Sequence, residues 1–261
     1  MGLNSIKCSA CGGTVAMLAG QEMPICLFCG SDAVEESSDE LIEQPDSFLS
    51  FGLPSDEAKG LFKRFAKSSW FHPKELKNAV VNLKELLVPA WVFSGSVESH
   101  WSALVPASSK SGKKPLTGAN TLNIEEVLVL SGSKLTHAEL NALAPFDTKD
   151  EVEFDAENIA LPFELAQLTR SLAEVQVKNT LVVEHENQIR SQINAKELNL
   201  SSLFHDLEGR PLLLPIYICS YRYKDTSYRL VINGQTGEFY GVGPKSLKKL
   251  LLVFGLSLAA L

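Results

Sequence analysis

Cys8-Ser9-Ala10-Cys11-Gly12-Gly13, answered by Cys26-Leu27-Phe28-Cys29-Gly30, determines how the first module of this chain folds. Each CxxC turn aims two sulfurs at one point, and the glycines behind it relieve backbone crowding. Two such turns, separated by residues 12–25, supply four thiolates to a closed tetrahedral site with no open ligand position. Cys8, Cys11, Cys26 and Cys29 are therefore the expected ligands of one structural Zn2+. About 30 residues cannot bury an adequate core, so metal binding must supply much of the folding free energy. Two disulfides, or a redox CxxC pair, are the competing readings. Disulfides need an oxidising compartment, and a redox motif is expected singly in a βαβ setting. The fifth cysteine, Cys219, lies in Leu214-Pro-Ile-Tyr-Ile-Cys-Ser-Tyr221 and reads as a small core residue of a strand.

Outward from the ribbon, composition narrows the class. The 261 residues are 45% hydrophobic and 21% charged, which excludes wholesale disorder. Lys+Arg of 24 against Asp+Glu of 31 leaves −7, so the surface as a whole should not attract nucleic acid. Four metal-bound thiolates would make it more acidic still. The first apolar stretch is short and contains two cysteines, unlike a secretory leader. No run of about 20 apolar residues suggests a conventional spanning helix.

Four segments are expected: a zinc ribbon over 1–34, an acidic linker over 35–47, an α+β domain over 48–244 and a basic, apolar tail over 245–261. The domain should combine an antiparallel sheet with helices. Ser55 sits near a helix start, with Asp56 and Glu57 in the first turn and Ala58, Leu61, Phe62, Phe65 and Ala66 at helical spacing. A second short helix is predicted over Pro73–Leu83, a strand over Ile124–Leu130, and a threonine-capped helix over Thr136–Leu143. Helical spacing over Pro162–Asn194 comes in two blocks. Leu87-Val-Pro-Ala-Trp-Val-Phe-Ser94 echoes Leu213-Leu-Pro-Ile-Tyr-Ile-Cys-Ser220, and each is followed by a short polar turn (Glu98-Ser99; Lys224-Asp225-Thr226) and a second apolar stretch, Trp101–Val105 and Tyr228–Ile232. Two similar β-hairpins follow, either a duplicated unit or neighbouring parts of one sheet. Asn233-Gly-Gln-Thr-Gly237 is a tight turn, whereas Gly241-Val-Gly-Pro-Lys245 lacks phosphate-loop spacing and loses a donor at Pro244.

No catalytic constellation emerges. The five histidines are scattered, and His185-Glu186 fails as a zincin because Ile189 stands where the second histidine must be. No nucleophile elbow and no dinucleotide fingerprint is present, so the chain is not expected to be an enzyme. The tail carries Lys245, Lys248 and Lys249 ahead of the uncharged Leu250–Leu261. As a helix that stretch covers about 18 Å, against a hydrocarbon core of about 30 Å. It reads as the stump of a membrane segment with its lysines on the cytoplasmic side, packing on the domain being the competing reading.

CSACGG, CLFCGS, the Leu-Val-Pro-Ala-Trp strand and Asn-Gly-Gln-Thr-Gly with its following Gly-Val-Gly-Pro-Lys-Ser together resemble a bacterial group. These are the TFIIB-type zinc-ribbon, or primosomal-helicase-like, proteins. The resemblance implies an N-terminal four-cysteine ribbon, a soluble α+β domain and C-terminal membrane segments. Some members accompany phage-shock, ESCRT-III-like membrane-remodelling proteins. The expectation is thus a non-catalytic adaptor that binds a protein partner at the cytoplasmic face of the membrane, contacting it through Lys245, Lys248, Lys249 and the tail. The rival is a nucleic-acid-binding ribbon protein of replication or transcription. Against it, Met1–Gly30 holds a single basic residue, Lys7.

Overall fold

The computed structural model describes residues 3–37, 45–106, 112–155, 159–195 and 197–251. Its elements begin with β1 (Leu3–Cys8), β2 (Thr14–Leu18), β3 (Val34–Ser37), β4 (Ser47–Leu49), α1 (Ser55–Ser68) and a 3-10 turn at Lys74–Asn78. They continue with β5 (Val81–Pro106), β6 (Lys113–Leu130), α2 (His137–Leu143), β7 (Glu151–Glu153) and β8 (Phe163–Glu164). Last come α3 (Arg170–Ile193), β9 (Glu197–Tyr223), β10 (Thr226–Asn233) and β11 (Phe239–Gly241). The fold is mixed α+β and dominated by its sheet. It divides into two compact units: Met1–Pro89 with Gly132–Ala166 and Leu212–Leu261, and Ala90–Ser131 with Gln167–Pro211.

In the first unit, Leu212 to Cys219 of β9 are buried without interruption, so this stretch reads as a continuous apolar run rather than an alternation. α1 buries Ala58, Phe62, Phe65 and Ala66 against Tyr217, Cys219, Tyr221, Leu230 and Ile232. Its cap position is Pro54, which offers no side-chain acceptor, and Ser55 is already helical. α2 has the threonine cap that its sequence announces: Thr136 and Glu139 form a capping box. The Glu139 carboxylate also receives Arg229 Nη2 at 2.8 Å, which fastens α2 to β10.

The ribbon shares hydrogen bonds with this sheet. β1 pairs with β2 and β3, and β2 pairs in turn with β8 through Val15↔Glu164 and Ala16↔Phe163. Phe163 also pairs with Leu87 of β5. The two-residue β8 explains why the pattern beginning at Pro162 is not all helix: its backbone is taken up by the two neighbouring strands. Helix begins only at Arg170 and runs unbroken to Ile193. The helix expected over Pro73–Leu83 is likewise cut short to the 3-10 turn, because Val81 already belongs to β5.

In the second unit α3 buries Ala173, Val177, Leu181, His185 and Ile189, a four-residue repeat that holds one face against a neighbour. Ala173, Val177 and Leu181 pack on Trp91, Phe93, Val97, Ile124 and Val129 of β5 and β6. Trp91 Nε1 donates to the Leu168 carbonyl at 2.8 Å, closing the entry to the helix.

Of the two expected hairpins, one exists. Tyr223 pairs with Thr226 across Lys224-Asp225, joining β9 to β10. The earlier one does not turn at Glu98-Ser99; β5 runs straight through, and its antiparallel partner is β6, from Ala90↔Leu130 to Pro106↔Lys113. The polar pair is strand alternation rather than a turn, since Ser99 faces inward and is fully buried.

Candidate metal centre

Both knuckles are built on the same backbone device. In the first, Gly12 N–H donates to the Cys8 carbonyl at 2.7 Å; in the second, Gly30 N–H donates to Cys26 at 3.0 Å. Gly12 and Gly30 have φ of 71° and 73°, the left-handed region that side chains resist, so glycine closes each turn. Gly13 is needed for a different reason. A Cβ there would lie 2.5 Å from the Phe28 ring, which packs the second knuckle onto the first.

The turns bring the four predicted cysteines together. Cys8 Sγ lies 3.7 Å from Cys29 Sγ, and Cys11 Sγ lies 3.7 Å from Cys26 Sγ. All four sulfurs lie within 4.8 Å of one another, and none is in a disulfide. A tetrahedral ion with metal–sulfur bonds of about 2.3 Å requires sulfurs about 3.8 Å apart. The cluster is therefore compatible with a zinc ribbon. Burial is the largest influence on Cys8 and opposes its thiolate, but the main-chain N–H groups of Cys11 and Ala10 together with the Cys29 and Cys26 thiols overcome it and bring the thiol down to about 7. Cys26 has less help, and burial pushes it up to about 12. Burial also raises Cys11. A dication held by these four sulfurs would supply the positive charge that converging thiolates lack.

The loop after β6 supports the cluster. Lys134 Nζ donates to the Cys11 carbonyl at 2.6 Å. Beside it, the buried Glu164 carboxylate accepts Ser133 N–H at 2.7 Å through Oε1. Burial raises the pKa of Glu164 despite that bond. Gly132 gives the carboxylate its room, since a Cβ there would come within 2.4 Å of Oε2. Sequence reading names none of these residues, which stand more than a hundred positions from Cys11.

The other candidates resolve separately. Cys219 is fully buried, and burial pushes its thiol up to about 12, the state of an unreactive core residue. His185 Nδ1 lies 2.9 Å from Ser99 Oγ, which lies 2.7 Å from Ser202 Oγ. With His185 2% exposed and Ser99 0%, this pairing holds α3 to β5 and β9 and presents no nucleophile to a substrate. The three tail lysines divide. Lys249 Nζ turns back to the carbonyls of Trp70 at 2.6 Å and His72 at 2.8 Å, while Lys245 and Lys248 line an open cleft. Among the described residues no helix is long and apolar enough to cross a membrane, and residues 252–261 of the expected membrane stump lie outside them.

No protein family, no curated protein and no solved structure matches this chain.

Proposed function

We propose that this chain is a non-catalytic adaptor: a structural zinc ribbon carried on an α+β domain, working beside the cytoplasmic face of a membrane. The observation that carries the reading is the closed set of Cys8, Cys11, Cys26 and Cys29, whose four sulfurs converge within 4.8 Å. Four thiolates saturate one Zn2+ and leave no position for a water or substrate, so the ion's role is to hold the fold. A reducing cytoplasm keeps such thiols available to the metal. The partner proposed from the sequence resemblance is a protein of the membrane-remodelling type. Membrane contact comes through Lys245, Lys248 and the apolar continuation that begins with Leu247 and Leu251, 71% and 69% exposed. Lys7 alone is too little charge for a phosphate-tracking ribbon, which places nucleic acid second.

The test measures metal and membrane together. Elemental analysis of protein purified without chelator should give one zinc per chain. Full-length protein should float with anionic vesicles, and removal of Leu250–Leu261 should release it with an unchanged melting temperature. Substoichiometric zinc overturns the ribbon; unchanged flotation with a lowered melting temperature overturns the membrane contact. A salt-sensitive shift of DNA or RNA at micromolar protein moves the rival to first place.

A further inference from the structure

The hairpin turn between β9 and β10 and the segment after β11 enclose a cleft of about 490 Å³ in the first unit. Lys224, Lys245 and Lys248 line it together with the rings of Tyr223 and Tyr228, and Glu75 is the one acid among its lining residues. Three ammonium groups against one carboxylate invert the sign of a chain whose net charge is −7. None of the three lysines makes a salt bridge among the described residues, so each keeps donor capacity for a ligand.

The cleft is also held in place. Ser246 N–H donates to the Phe71 carbonyl at 2.8 Å, and Lys249 Nζ grips the carbonyls of Trp70 and His72. Gly243 lets the chain pass against His72, where a Cβ would come within 2.3 Å of Nε2. Lys245 and Lys248 therefore leave a fixed backbone and not a loose tail. Lys224 occupies a left-handed turn position with φ of 55°. Glycine or asparagine would fill that position more cheaply, so the turn itself does not account for a lysine there.

We propose that this cleft binds a phosphate monoester, presented by a lipid headgroup or by a soluble ester. Three lysines can surround a dianionic oxygen cluster that carries up to two charges, while a phosphodiester offers one charge and fewer free oxygens. Tyr223 and Tyr228 form one wall of the site. The lipid arm rests on the membrane reading above; the soluble arm does not.

The experiment uses the full chain and two vesicle compositions of equal surface charge, phosphatidylcholine with phosphatidic acid and phosphatidylcholine with phosphatidylglycerol. Glycerol 3-phosphate serves as the soluble probe, followed through the ring resonances of Tyr223 and Tyr228. Phosphatidic acid should recruit more protein than phosphatidylglycerol. Lys224→Asn, which suits the left-handed backbone and removes the charge, should weaken that preference about fivefold, and Lys248→Ala similarly. Glycerol 3-phosphate should shift both tyrosines in the wild type, and the shifts should weaken in Lys224→Asn. Tyrosine shifts without flotation assign the cleft to a soluble ester and sink the membrane reading alone. Flotation with no preference for the monoester, and no tyrosine shifts, overturns the cleft and leaves the membrane reading standing.

Discussion

Lys134 reaches from the loop after β6 to the main-chain oxygen of Cys11, its Nζ 2.6 Å from that carbonyl. A sheet-side cation is thus bonded to the first knuckle of the cysteine cluster, and the ribbon is not an appendage on a string. Replacing Lys134 with methionine keeps the apolar stem and removes the donor. The charged bond is partly buried, so the change should lower stability by about 1–2 kcal/mol. A chelator should also strip metal faster from the variant. A thermal melt and a timed zinc-release assay check both, and unchanged release would separate Lys134 from the cluster.

Metal removal should be felt in the main sheet. β2 pairs with β8, and Leu165 N–H donates to the Thr14 carbonyl at 3.1 Å. From the acidic stretch over 35–47, the sequence suggests that Cys26 could be replaced with damage confined to the ribbon. The shared pairing predicts otherwise: Cys26→Ser or chelation should lower the principal melting transition. Hydrogen exchange should quicken at Ala16 and Leu165. Unaltered exchange at those amides would restore the separable ribbon.

Asn233 is fully buried and satisfied on both sides of its amide. Nδ2 donates to the carbonyls of Leu143 and Pro145 at 2.8 and 2.9 Å, while Oδ1 accepts the N–H of Gln235 at 2.7 Å. Asn233→Ala should cost about 2–4 kcal/mol, because it orphans buried carbonyls as well as removing bonds. Asn233→Asp should cost more, since a carboxylate would face those two carbonyl oxygens. Denaturant melts of both variants rank them, and an aspartate variant as stable as wild type would refute the assignment.

His185 makes the second unit acid-sensitive. Burial lowers its pKa below the ordinary 6.5, so the unfolded chain takes up a proton before the folded one does. Its contribution is fully present above pH 6.5 and is lost as pH falls from there toward the depressed folded value. Each unit of depression corresponds to about 1.4 kcal/mol. A His185→Gln variant should show a flatter loss of stability between about pH 7 and 5. Equal slopes for wild type and variant would contradict a buried neutral imidazole.

The parts legible in the sequence are those that local chemistry controls. Paired CxxC turns with left-handed glycines, the Thr136 cap and the Asn233 turn each depend on residues within a few positions. What escaped depends on strand pairing. Ser99 looks like a turn residue until α3 and β9 bring His185 and Ser202 to it. The N-terminal half of β9 alternates through Leu198, Leu200 and Phe204, but Asp206 at φ 49° breaks the period and hides it. Lys224 joins Lys245 and Lys248 only after β9 and β10 have folded back on each other.

The pairing of Ala16 with Phe163 has a consequence for synthesis. The four cysteines leave the ribosome together and well before β8, so a metal ion could be captured at once. The free edge of β2 must then wait for β8, a delay on the order of ten seconds at ordinary elongation rates. During that interval an exposed strand edge invites pairing with other nascent chains. A metal ion held by the cysteines would keep β1 and β2 in their hairpin during that wait, leaving only the β8-facing edge of β2 open.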